Sequence, residues 1–399
     1  MRAVVFAAGQ GTRMRPLTDN RPKPMLPVAG RPILAHVLDA ASDYVDGYVL
    51  VVGYGAEMVE SYFGREFAGL PIDYVSQERQ LGTAHAVACA REHVDERFLA
   101  LNGDMVFDAD LVAGLASAEE TAIAVMPVEN PSAFGVVDVG DGAVRSIVEK
   151  PADPPSNLVN LGLYAFEPAV FEHIDGLERS ERGEYEITDA LTSLVDDGER
   201  VAAVEHTGTW LDVGRPWELL NATEQLLAGI DRRLDGEIED GATIHGPVVV
   251  EDGARVRAGA YVEGPVLVQS GADVGPNAYV RATSVVGPGV RVGNAVEVKN
   301  SILMRDTAVG HLSYVGDSVL GEGVNLGAGT KVANLRHDDA NVKMRVKGAA
   351  EDSGRRKLGV VAGDGVKTGI NSSLNAGLKL GSGAMTRPGE AVMRDRGTD

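Results

Sequence analysis

Two hydrophobic rhythms divide the chain. In the first, apolar runs such as Ala3-Val4-Val5-Phe6-Ala7-Ala8, Tyr48-Val49-Leu50-Val51-Val52 and Phe98-Leu99-Ala100-Leu101 are unbroken, the pattern of strands covered on both faces. Between them Ile33, Leu34, Val37, Leu38 and Ala41 recur at helical spacing. Alternating strand and helix predicts an α/β fold, Rossmann-like, with a mostly parallel sheet whose ligands sit beyond the carboxyl ends of the strands. Leu219 to Leu234 is helical in pattern, and near Asp235 the second rhythm begins. Aromatic residues nearly vanish there, and counting from Ile238 every sixth residue is apolar: Ile244, Val250, Val256, Val262, Val268, Val274, Val280, Val286, Val292, Val298 and Met304. One aliphatic per six residues marks one short strand of a triangular coil, three repeats to a turn, and predicts a left-handed parallel β-helix. After slips of one residue it continues through Val309, Val315, Leu320, Leu326 and Val332. Charge and glycine interrupt it between Ala333 and Lys357, a stretch expected to be an extruded loop, and it resumes at Thr368, Leu374, Leu380, Thr386 and Val392. The expected domains are residues 1–228 and 237–399, with a linker at 229–236.

Composition narrows the function. With 58 acidic against 37 basic residues the net charge is −21, which argues against nucleic-acid or anionic-membrane partners, since both require a basic face. The single cysteine, Cys89, cannot form an intrachain disulfide, and no charged segment followed by a long apolar core opens the chain. A cytoplasmic protein is expected. Only nine residues are lysine, and the first 298 contain just Lys23 and Lys150. Such a balance suits concentrated salt and points to a halophile.

The first strand runs into Gly9-Gln10-Gly11-Thr12-Arg13-Met14 and then Pro22-Lys23-Pro24-Met25-Leu26-Pro27. Two glycines after a buried strand allow backbone N–H groups to approach an anion closely. The third glycine of the dinucleotide fingerprint and the Gly-Lys-Ser/Thr of a Walker loop are both missing. Ala-Ala-Gly-x-Gly-Thr-Arg-Met followed by Pro-Lys-Pro-Met-Leu-Pro resembles the signature of the sugar-1-phosphate nucleotidylyltransferases. The resemblance implies that Ala8, Gly9, Gly11 and Thr12 wrap a nucleoside triphosphate, that Arg13 holds its outer phosphates, and that Lys23 stabilises charge at the α-phosphate. Gln77-Glu78-Arg79-Gln80-Leu81-Gly82-Thr83 supplies two amides and a glycine suited to a pyrimidine edge. It is similar to the uracil-reading segment of the bifunctional uridylyltransferase and acetyltransferase family, with Gln77, Gln80, Gly82 and Thr83 on matching positions. Asp104, directly off a strand end in Asn102-Gly103-Asp104, is a hard oxygen ligand suited to Mg²⁺. Asp212 matches the second metal ligand, but the bacterial bifunctional enzymes carry asparagine there and the thymidylyltransferases aspartate. UTP and dTTP therefore both stay open, as does the sugar. By the same resemblance Gly135, Glu149, Lys150 and Asn160 would hold the sugar 1-phosphate, and Glu184 to Asp189 would be mainly structural, with a contribution to the sugar pocket left open.

A β-helix can be mere scaffold. Against that, Gly293 to Ser301, Gly310 to Asp317 and Asn325 to Thr330 resemble the acetyltransferase half of the bifunctional family. The resemblance implies acetyl-CoA as co-substrate and His311 as the general base that deprotonates a sugar amine. Arg281 and Lys299 would hold the sugar phosphate, and Tyr314, Asn325 and Asn334 would complete the pocket. After Asn334 the match fails, and a lysine the family carries is displaced to Lys343. The expectation is a homotrimer that acetylates glucosamine 1-phosphate and then makes UDP-N-acetylglucosamine and pyrophosphate. The alternative is a glucose-1-phosphate thymidylyl- or uridylyltransferase whose β-helix only trimerises or binds a regulator.

Overall fold

The strand Ala3–Ala7 lies within a ten-stranded sheet and deals its side chains alternately to two cores. Ala3, Val5 and Ala7 pack with the helices Ile33–Ala41, Ala56–Phe63 and Ala109–Ser117, whereas Val4 packs with Thr83–Cys89 and Ile187–Asp196. Burial on both faces is what its unbroken apolar composition requires. Tyr48–Val52 and Phe98–Asn102 flank it in parallel, and Leu70–Ser76 continues the parallel half. The sheet is nevertheless mixed rather than mostly parallel. Leu158–Phe166 runs antiparallel to both Phe98–Asn102 and Ala122–Pro127, and Gly135–Gly140 forms a hairpin with Ala143–Glu149. Asp141 and Gly142 at the hairpin turn both have positive φ, 56° and 72°, the geometry that joins antiparallel neighbours tightly.

This computed structural model describes residues 1–180 and 182–398, and its contacts separate two compact units. The first holds Met1–Gln10, Pro22–Met25 and Ile33–Asp212; the second holds Gly11–Arg21, Leu26–Pro32 and Val213–Asp399. Two local interactions explain why early segments join the second unit. The buried Arg21 guanidinium donates to Glu322 and to Asp364, each at 2.7 Å. Ala29 packs beside Leu227, Leu267 and Val285.

The second unit carries a parallel β-helix. Short strands fall in rotation onto three parallel sheets, so Val248 pairs with Val266 and Val266 with Ser284, each eighteen residues on. The aliphatics from Val250 to Val298 at every sixth position form one continuous core. The coil then loses a residue: Val286 pairs with Leu303 and Val298 with Val315. The inward position therefore arrives one residue early, and Leu303 rather than Met304 joins the core. The helical segment expected to reach Leu234 stops at Leu227, ahead of Gly229, and Arg233–Leu234 already pairs with Val249 and Val250 as the first strand of the stack. The stretch expected as an extruded loop holds an ordered hairpin, Lys343–Val346 against Ala349–Asp352, after which Val361–Ala362 resumes on Val319–Leu320. Among the described residues no helix is long and apolar enough to cross a membrane.

Candidate active sites

In the first unit strand register assembles a charged centre. Trp210–Asp212 lies antiparallel to Met105–Phe107 with Asp212 opposite Met105, which sets Asp212 beside the neighbouring Asp104. Lys23, only 5 % exposed, points its ammonium at both: Nζ lies 2.6 Å from Asp104 Oδ2 and 3.6 Å from Asp212 Oδ1. Gly103 makes the turn possible, since its N–H donates to the Phe6 carbonyl at 3.1 Å and a Cβ would stand 2.7 Å from that oxygen. Two hard carboxylates gathered around one ammonium fit a small divalent cation of the Mg²⁺ kind, which takes one or two carboxylates and completes its shell with phosphates and water. Among the described residues no group of three or more His, Cys, Asp or Glu could hold a metal.

Around this centre the proposed base loop is well fastened. Gln80 donates through Nε2 to the Ala8 carbonyl at 2.7 Å, tying the loop to the end of the first strand. The buried Gln77 donates to the Gly82 carbonyl at 3.1 Å and meets His85 Nδ1 at 3.0 Å. Gly82, read from sequence as room for a base, is held close by protein instead: its φ is +109° and a Cβ would collide with the Tyr185 carbonyl. Thr83 Oγ1 accepts from the Ile187 N–H at 3.0 Å, so its hydroxyl secures the start of the Ile187–Asp196 helix. Gly9 has open space around it.

The sugar residues also converge. Gly135 pairs with Glu149, and a Cβ on Gly135 would sit 3.0 Å from Glu149 Oε2 and 3.7 Å from Asn160 Cβ. Asn160 donates to the Tyr164 hydroxyl at 2.8 Å and accepts from the Gly162 N–H at 2.8 Å across a bulge in its strand. Lys150 reaches back to Glu149 at 3.1 Å. No motif pointed to Arg182, which lies 2.7 Å from Glu186 and 3.6 Å from Glu149. Asp189 belongs to the same cluster: burial, then Glu186 and Glu149, push its carboxyl above the usual range while Arg182 pulls it down.

Gly11, Thr12 and Arg13 fall in the second unit. Gly11, at φ 65°, opens a single 3-10 turn over Thr12–Met14, its carbonyl accepts from Thr18 Oγ1 at 2.9 Å, and Arg13 is exposed.

On the β-helix, Lys299, Tyr314 and Asn334 meet through a residue that sequence reasoning left without a role. Asp317, whose side chain is 3 % exposed, accepts from Lys299 Nζ at 2.9 Å, from Asn300 at 2.9 Å and from Asn334 at 2.5 Å. Asn334 also donates to the Tyr314 hydroxyl at 3.0 Å, and burial pushes that phenol above its ordinary pKa. Gly316 leaves room for the cluster, because a Cβ there would collide with the Tyr314 hydroxyl. Arg281, directly below Lys299 on the same sheet, pairs with Glu297 at 2.8 Å. His311 and Asn325 occupy another sheet, where Ala308 pairs with Asn325. The His311 ring is exposed and makes no hydrogen bond among the described residues. Its neighbour Leu312 turns the corner at φ 52° with its side chain 58 % exposed, a conformation unfavourable for a bulky residue. The displaced Lys343 lies on the hairpin, facing a different recess.

Comparison with known proteins places the chain in a family. Residues 2–229 match the Nucleotidyl transferase family and residues 262–378 the GMPPB C-terminal domain. A protein of Methanocaldococcus jannaschii named bifunctional protein GlmU is 45 % identical over 383 residues, covering 96 % of this chain and 92 % of its own length. A bifunctional sugar-1-phosphate nucleotidylyltransferase/acetyltransferase of Sulfurisphaera tokodaii is 37 % identical, covering 100 % and 98 %. Among solved structures, a UDP-glucose pyrophosphorylase from Acinetobacter baumanii aligns with a TM-score of 0.51 at 25 % identity, covering 56 % of this chain and 92 % of that one.

Proposed function

Since the chain belongs to the Nucleotidyl transferase family and is a bifunctional nucleotidyltransferase and acyltransferase, we propose that it N-acetylates glucosamine 1-phosphate and then transfers uridylyl from UTP to N-acetylglucosamine 1-phosphate. The observation that carries the second step is Lys23 held between Asp104 and Asp212. A sugar-phosphate oxygen attacks the α-phosphorus in line as the α–β bond breaks and pyrophosphate leaves. Lys23 and Arg13 supply positive charge where the transition state gathers negative charge. A Mg²⁺ ion on Asp104 and Asp212 would add Lewis-acid neutralisation of the phosphates. Glu149 and Asn160 bind sugar hydroxyls and the ring substituent, Lys150 pairs with the sugar phosphate, and Gln77 and Gln80 shape the base loop.

In the acetyl step His311 takes a proton from the sugar ammonium, and the freed amine attacks the thioester carbonyl of acetyl-CoA, expelling the thiol. The exposed, uncommitted imidazole supports this role. Arg281 and Lys299 bind the sugar phosphate, while Asp317 holds Lys299 and Asn334 in place beside Tyr314. Asn325 lines the same pocket. We take the coil as left-handed and the assembly as a homotrimer working in a high-salt cytoplasm.

One observation favours a second reading. Asp212 is shared in type with thymidylyltransferases, so dTTP and glucose 1-phosphate are real competitors. The deciding experiment is a substrate matrix: UTP and dTTP against glucose, glucosamine and N-acetylglucosamine 1-phosphates, with and without acetyl-CoA. The reading stands if thiol release needs glucosamine 1-phosphate and pyrophosphate release is fastest with UTP and the acetylated sugar. No thiol release from any amino-sugar phosphate would leave the β-helix as scaffold.

A further inference from the structure

The second unit has a recess of 1040 Å³ well away in sequence from His311 and Lys299, walled by the hairpin, by the corner Asn375 to Lys379 and by Met393 to Asp395. Six cations line it: Arg15, Lys343, Arg345, Lys347, Lys379 and Arg394, against one carboxylate, Asp395. In a chain of net charge −21 with nine lysines, three of those lysines face this one space. Surface chance is a poor account of that gathering.

The cations are mostly uncommitted. Lys343, Arg345, Lys347 and Arg394 are exposed and their side chains have no hydrogen bond or ion pair among the described residues. Asp395 is engaged by the Lys379 backbone N–H at 2.9 Å. Lys379 itself is 7 % exposed, and its ammonium donates to the Arg15 carbonyl at 3.0 Å. Burial lowers its pKa, so an anion in the recess would offset the desolvation that disfavours its charge. The hairpin explains the arrangement: Met344 and Val346 are buried, so Lys343 and Arg345 share the opposite, exposed face of the strand, and Lys347 sits in the turn at φ 47°.

We propose that this recess binds a diphosphate-bearing organic anion, through the cations of the hairpin, the Arg394 turn and Lys379. Guanidinium forks and compact ammonium charges together suit adjacent phosphates, which a single carboxylate ligand would not require. Leu378 and the exposed Met393 add an apolar wall for the organic part. Diphosphate of this kind is found both in uridine nucleotides and in coenzyme A. Thr12 and Arg15, which line the recess, bracket Arg13 in the chain, so occupancy would restrain the segment carrying that arginine.

The test is equilibrium dialysis of the full chain in EDTA at fixed salt, with UDP, coenzyme A and inorganic pyrophosphate as separate probes. Arg345→Ala/Lys347→Ala should weaken binding of at least one probe about tenfold or more, because two charge-assisted contacts are lost. Arg394→Ala, on a different segment, should weaken the same probe and so guards against a disturbed hairpin. Arg65→Ala, which removes an exposed cation outside the recess, should leave it unchanged. The probe that responds identifies the source: UDP marks a nucleotide and coenzyme A the acetyl donor, whereas a response of pyrophosphate alone overturns the organic ligand. Equal binding of all three probes in every variant, or the same loss in Arg65→Ala, overturns the proposal.

Discussion

Lys23 and Asp104 are 81 residues apart in the first unit, yet strand register and one tight turn bring them to 2.6 Å. In the second unit Lys299 and Asp317 are one coil apart, 18 residues, and meet because neighbouring coils stack in register. The first arrangement is built from loops at strand ends, each fixed by different neighbours. The second is a ladder, in which a side chain answers mainly to the coil below and the coil above. Damage to the first should therefore be chemical and complete, whereas damage to the second should grade with burial.

Asp104→Asn or Asp212→Ala is expected to have the largest effect, lowering pyrophosphate release by about three orders of magnitude or more while thiol release from acetyl-CoA continues. A variant that keeps both activities would dissolve the contrast at once. His311→Ala should lower thiol release roughly 10²- to 10⁴-fold, the usual span for a general base, with pyrophosphate release from UTP and ready-made N-acetylglucosamine 1-phosphate intact. Parallel loss of both activities in one preparation would argue against separate centres. Asp317→Ala removes a buried carboxylate and strands Lys299; a loss of about 3–5 kcal/mol in stability is expected, read by denaturant melting. If the melt is unchanged, the ladder is not held by this side chain. Leu312→Gly should be the mildest change and of opposite sign, gaining about 1 kcal/mol by relieving a left-handed leucine, less the flexibility that glycine adds to the unfolded chain. Lower acetyl transfer in that variant, despite higher stability, would mean the strained corner positions His311.

Much of this contrast was legible in the residues. A six-residue period survives because every coil repeats the same burial, and Val250 through Val298 entered the core as counted. Met304 failed because the pattern alone does not show at which corner a residue has dropped out; Asn300, at φ 46°, lies in the corner just before Leu303. The mixed sheet escaped because attention to alternating strand and helix overlooked Asp141-Gly142, a two-residue turn whose signal is local. Lys23, Asp104 and Asp212 were found through motifs, but their meeting depends on the Asp212–Met105 pairing, which no motif states. Asp317 and Arg182 were missed for a shared reason. Each acts by holding another side chain, and a supporting role leaves no spacing rule behind.

The spacing of the coils carries one last consequence. Most paired positions are 18 or 17 residues apart, yet Ser318 and Val360 are bonded across 42 without any shift in the stack above. The fold has thus absorbed both a deletion and a long insertion at its corners, and the inserted hairpin carries some of the chain's scarce lysines. A corner of this kind is a place where evolution can splice in new sequence and try out new chemistry, because each coil needs only its neighbours to remain whole.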